Sequence, residues 1–158
     1  VADDLRIVVA SLKIASDLER MGDNAKSIAK RTRLLTRFPD SGAVLGIVRM
    51  GELTQQFLAQ VLDAYIHNEL QPAMTIWRRD AEIDSMYASI FRDLHNYMVE
   101  DPKNITACSH LLFIAKNIER IGDHITNIVE NLHFQITGEH LQQGRPKGDW
   151  SSAPIQSE

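Results

Sequence analysis

The chain has a single cysteine, Cys108, in 158 residues. A lone thiol excludes an internal disulfide framework and a cysteine-cluster zinc site, and it favours a reducing compartment, most simply the cytoplasm. Proline is scarce, with five in the whole chain, so long stretches can stay helical without a break. No apolar run approaches the ~18 residues of a membrane span, and no signal peptide is recognisable. Basic residues are not in excess. With 17 Lys and Arg against 21 Asp and Glu the net charge is −4, which argues against a dedicated nucleic-acid binder, since phosphate neutralisation needs clustered cations. Strand signals, phosphate-cradling glycine loops and nucleophile–base pairs at telling spacing are missing as well.

Helical periodicity is present almost throughout. In the first segment the stripe is Ile7, Ser11, Ile14, Leu18, Met21, Ala25 and Ile28, which predicts one helix from about Asp3 to Arg37. The pattern is already running at Val1, which reads as part of a longer chain. FPDSG (38–42) is a loop by composition. A second helix is predicted over 44–67 on Ile47, Met50, Phe57, Val61 and Tyr65. Asn68 is the expected N-cap of a third, which would run to about Met98 with Pro72 in its first turn. A fourth is predicted over Ile105–Thr137, closed by Gly138. The remainder, 138–158, lacks periodicity and reads as a disordered tail. The expected fold is all-α: an antiparallel three-helix bundle over 44–137, with one long helix, 1–37, belonging to a second, duplicated bundle.

The duplication is visible in register. At an offset of 100, Leu12, Ile14, Ala15, Glu19, Arg20, Gly22, Asp23 and Ile28 meet Leu112, Ile114, Ala115, Glu119, Arg120, Gly122, Asp123 and Ile128. Each copy stacks two carboxylates one helical turn apart, with a glycine between them. The like charges repel by a few tenths of a kcal/mol, and the glycine costs about 1 kcal/mol relative to alanine. Neither helps folding. Both make sense if a cation binds there and a neighbouring backbone or ligand must come close, with Gly22 and Gly122 giving the approach. The third helix supplies a facing pair, Asp80 and Asp84, on an otherwise apolar or aromatic line. Four carboxylates are hard oxygen donors suited to Mg, Ca, Mn or iron. The bland alternative is a set of structural salt bridges with Arg20, Arg120, Arg78 and Arg79. His124, beside Asp123, could be an outer ligand.

At these residues the chain resembles the PhoU family of phosphate-signalling regulators. VADDLRIVVASLKIASDLERMGDNAKSIAKR is similar to its motif-bearing helix, and RRDAEIDSMYASIF with IAKNIERIGDHITNIVENL resembles the corresponding pair of the second half. The resemblance covers Val1 to Gly138 and rests on the doubled E-R-h-G-D motif, where h is hydrophobic. It implies two similar three-helix bundles, each with a multinuclear metal site of iron or zinc, or alternatively Mg or Mn. Asp80, Asp84, Glu119 and Asp123 would form one site, and Glu19 and Asp23 half of the other. It also implies a non-catalytic cytoplasmic homo-oligomer that meets the membrane only through partners, the phosphate ABC transporter ATPase and a sensor histidine kinase. The implied role is a negative regulator of phosphate uptake and of the phosphate-starvation two-component response. Two rivals stay open: a ferritin-type di-metal oxidase, and a metal-free helical adaptor. The oxidase needs two E-x-x-H motifs, and this chain has one, Glu130 with His133.

Overall fold

The computed structural model describes residues 2–35 and 42–141, all in helices and short connections. Five α-helices follow one another: α1 (Ala2–Thr32), α2 (Gly42–His67), α3 (Leu70–Arg78), α4 (Asp80–Glu100) and α5 (Ile105–Thr137). The segment predicted as a loop, FPDSG, falls outside the described residues except for Gly42, and the predicted tail lies outside them beyond Leu141. Among the described residues no helix is long and apolar enough to cross a membrane.

Local chemistry sets the boundaries. α1 opens on Asp3 and Asp4 and closes on Lys30 and Arg31, each charge facing the complementary end of the helix dipole. α5 ends as predicted: Gly138 adopts φ 78°, and its N–H returns to the Phe134 carbonyl at 2.9 Å. Asp101 starts the approach to α5 by accepting a hydrogen bond from the Lys103 N–H, ahead of a short 3₁₀ turn over Pro102–Asn104.

Three expectations need correction. α1 ends at Thr32, short of the predicted Arg37, and the chain leaves the helix in a turn closed by the Leu34 N–H on the Arg31 carbonyl. Asn68 does not cap the third helix; it sits in the left-handed region at φ 56°, a conformation asparagine tolerates, and so finishes α2, while Glu69 precedes α3. The predicted third helix is two helices, broken at Arg79, whose φ −92° and ψ 0° leave the helical region. The break follows charge order: Arg78 and Arg79 end one helix, and Asp80 and Glu82 begin the next. The Arg79 guanidinium then clamps Glu82 through two hydrogen bonds, of 2.7 and 3.0 Å, and lies over the Phe57 ring.

The α2–α3–α4–α5 bundle encloses one core, with Met50 and Val61 of α2, Trp77 of α3, Ile83 and Leu94 of α4, and Ile125, Ile128 and Leu132 of α5. α1 packs lengthwise and antiparallel on α5. Its buried face is Ala10, Ile14, Asp17 and Met21: Ile14 and Met21 lie on the stripe read from sequence, but Ala10 and Asp17 are buried where Ser11 and Leu18 were expected. The other side of α1 is bare: Leu5, Val8 and Leu12 are exposed, and so are Ala15, Glu19 and Gly22.

Candidate functional site

The α4–α5 seam holds the first group of acidic residues. The two helices run antiparallel, because Ile83 and Asp80 abut Gly122 while Tyr87, further along α4, meets Lys116, earlier on α5. Asp84 is therefore level with Glu119. A Cβ placed on Gly122 would stand 3.2 Å from Ile83 Cδ1, 3.4 Å from Ile83 Cγ2 and 3.8 Å from Asp80 Oδ1. The missing side chain thus gives α4 room to approach, and Asp80 is 4% exposed as a result.

Glu119 is held by a cation of the chain itself. The Lys116 ammonium, 5.1 Å from the Tyr87 ring centroid, lies 2.8 Å from both carboxylate oxygens. It hydrogen-bonds Oε1, whereas Oε2 is buried with no hydrogen bond. The sequence carried a signal for this, a Lys three residues before a Glu on one helix face.

A second, polar cleft of about 530 Å³ lies between α1 and α5, and Asp23 and Asp123 both line it. Asp123 is thus on the α1 side of α5, one residue around the helix from Gly122. The cleft is braced by a buried contact that sequence reasoning missed: Asp17 Oδ1 is 2.8 Å from His124 Nδ1 and accepts from the Asn127 amide at 3.2 Å. His124 accordingly faces Asp17. No local signal could have found this pairing, since the partners are 107 and 110 positions apart. In the α1 copy, Glu19 and Asp23 are exposed, and nothing stands within 4 Å of a Cβ on Gly22.

The donor chemistry suits a hard cation: carboxylates from two helices and a glycine cradle beside Asp80. The positions are less complete. Among the described residues no three His, Cys, Asp or Glu side chains are placed together as a metal ion requires. The lone E-x-x-H is occupied elsewhere. Glu130 accepts the Trp77 indole N–H at 3.2 Å, and His133 Nδ1 lies 2.9 Å from the Glu139 carbonyl. Cys108 is fully buried, and burial pushes its thiol pKa up.

Fold and sequence together define a class: an all-α bundle protein in which one carboxylate- and arginine-bearing motif occurs twice. Comparison with known proteins sharpens that. The PhoU domain model matches residues 1–32 and 47–132. A phosphate-specific transport system accessory protein PhoU homolog of Caulobacter vibrioides (strain NA1000 / CB15N) is 55% identical over 149 residues, which is 94% of this chain and 65% of that protein. The homolog of the same description from Rhizobium meliloti is 48% identical over 96% of the chain and 64% of its own length. The crystal structure of PhoU from Pseudomonas aeruginosa superposes with a TM-score of 0.82 at 30% identity, covering 88% of this chain and 67% of that one. The phosphate transport system regulatory protein PhoU of Streptococcus pneumoniae gives 0.81 at 31%, covering 89% and 67%. The chain belongs to the PhoU family. It spans just under two thirds of the length of the curated relatives it matches, 65% and 64%.

Proposed function

We propose that the chain acts as a PhoU-type, non-catalytic regulator of phosphate uptake and of the phosphate-starvation two-component response. The observation that carries this reading is its 55% identity, across nearly all of its length, to a protein named as an accessory of phosphate-specific transport. The partners proposed are the transporter's ATPase and the sensor histidine kinase, met at the cytoplasmic face of the membrane. The exposed Leu5–Val8–Leu12 seam of α1 supports association with further chain, either a second copy or the part of the relatives that this chain does not span. On α5 the matching seam is covered by α4, whose Ile83 fills the space at Gly122; a similar helix would suit Gly22.

Metal binding belongs to the same proposal. Asp80, Asp84 and Glu119 would hold the cation in the α4–α5 seam; Asp123, expected with them, lines the α1 cleft and would join only by turning back across α5, and Glu19 and Asp23 would contribute to a second site completed by further chain. A bound cation would supply positive charge among these carboxylates and tie α4 to α5. Lys116 neutralises Glu119 in the arrangement described here, so metal binding would require Lys116 to release it. Iron or zinc is the expected metal, with Mg or Mn as alternatives.

Elemental analysis of protein purified without chelator, compared with an Asp80→Ala/Glu119→Ala variant, tests the metal; unchanged metal in the double variant would end that part. A starvation-promoter reporter, in cells lacking their own regulator of this family, tests the role. Repression at high phosphate is expected from the chain, alone or joined to the segment of the relatives that it does not span. Constitutive expression despite stable protein would leave the metal-free adaptor as the better reading.

A further inference from the structure

Neither the fold nor the acidic pairs account for the arginine inside each motif copy. Arg20 and Arg120 occupy equivalent positions of the repeat, and both are exposed. α1 crosses α5 antiparallel with the two copies level, since Asp17 meets His124 and Asn127 while Arg31 meets His110 and Phe113. The crossing therefore brings both arginines to one cleft, of about 530 Å³, together with Asn24 and Asn127. That volume lies within the roughly 300–1,000 Å³ range of small-ligand sites. Neither guanidinium has a hydrogen bond or ion pair among the described residues.

We propose that this α1–α5 cleft binds a protonated phosphate oxyanion, with Arg20 and Arg120 as paired guanidinium ligands. Each guanidinium offers a planar fork of N–H donors that matches two oxygens of a tetrahedral anion. Asn24 and Asn127 add neutral amide donors, and Asn127 is already oriented by its bond to Asp17. Asp23 and Asp123 line the same cleft, which looks unfavourable for an anion. It is unfavourable only for one without a proton. A carboxylate can only accept a hydrogen bond, and phosphate near neutral pH still carries a hydroxyl to donate. Sulfate has the same shape and no such proton, so the carboxylates repel it outright. The mixed lining thus selects phosphate over sulfate, by attraction to the arginines and by the Asp23 carboxylate, which accepts from the phosphate hydroxyl and repels the unprotonated competitor.

The inference does not depend on metal. It is tested on the chain stripped with EDTA, by equilibrium dialysis at constant ionic strength against inorganic phosphate, sulfate and O-phosphoserine. Phosphate is expected to bind, with sulfate at least about tenfold weaker. Arg20→Gln and Arg120→Gln should each weaken phosphate binding about tenfold or more, the loss of one charge-assisted hydrogen bond. Both side chains are exposed, so the variants should keep the wild-type circular dichroism and thermal midpoint. Asp23→Asn and Asp123→Asn should retain phosphate and narrow its advantage over sulfate. O-Phosphoserine binding tighter than free phosphate would assign the cleft to a phosphoryl group carried on another molecule; the reverse order would assign it to free phosphate. The proposal is overturned if stripped, folded protein binds phosphate no better than a chloride control, if sulfate binds as well, or if both arginine variants bind like the wild type. Loss of the metal reading alone would leave these results unmoved.

Discussion

The two motif glycines occupy equivalent sequence positions and opposite environments, so one substitution made twice gives a sharp test. Alanine at Gly22 meets nothing within 4 Å, and the site is exposed on α1. It should gain the ordinary helix-propensity difference, about 1 kcal/mol. In a chain of this size that raises the thermal midpoint by roughly 2–4 °C. Alanine at Gly122 has the same intrinsic gain but sets its Cβ 3.2 Å from Ile83 Cδ1 and 3.4 Å from Cγ2. Ile83 is 1% exposed and branched at Cβ, so it has nowhere to turn, and relief requires α4 to shift along with the buried Asp80. Overpacking of this kind costs ~1–3 kcal/mol, which cancels or exceeds the propensity gain. Gly122→Ala should therefore lie roughly 1–3 kcal/mol below Gly22→Ala. Urea unfolding followed by helical circular dichroism, at low protein concentration, measures the difference. If the two variants are stabilised equally, the close approach of α4 at Gly122 is wrong. If Gly22→Ala gives no gain, another chain covers the α1 seam in solution.

Three further outcomes follow from named contacts. Leu12, 67% exposed in the bare seam, should drive concentration-dependent association by light scattering, and Leu12→Asp should shift the chain toward monomer without loss of helix; a wild type that stays monomeric on concentration contradicts this. Hydrogen bonding to Arg79 holds the Glu82 carboxyl below its ordinary 4.5, so the pair's contribution is full above that value and is lost as pH falls through the lowered one. The midpoint difference between wild type and Glu82→Gln should thus be present at neutral pH and close in acid, and a gap that widens in acid would refute the linkage. Cys108, buried with its thiol pKa raised, should resist disulfide reagents under native conditions and react on unfolding; fast labelling of folded protein would show that the α5 start opens locally.

Much of the architecture was legible because it is local. A 3.6-residue period and a closing glycine are properties of a few consecutive residues, and they placed α5 at its observed limits. The break at Arg79 was also written locally, in the order Arg78, Arg79, Asp80, Glu82, but the continuous apolar stripe through Ile76 and Ile83 outweighed it. The two-copy motif needed no structure, since it is a repeat in the sequence.

Sidedness could not be read that way. An E-x-x-x-D pair puts two carboxylates on one broad helix face. Only the neighbouring helices decide that Glu119 turns toward α4 and Lys116 while Asp123 lines the α1 cleft. The burial of Asp17 in place of Leu18 was likewise fixed by His124 and Asn127, more than a hundred residues away. The sequence by itself determined which segments are helical and that one acidic, arginine-bearing motif occurs twice, because hydrogen bonding within a helix and its end charges involve near neighbours. The tertiary structure alone decided which copy is covered, which is bare, and which charges share a cleft, because those depend on the packing of helices whose residues lie far apart along the chain.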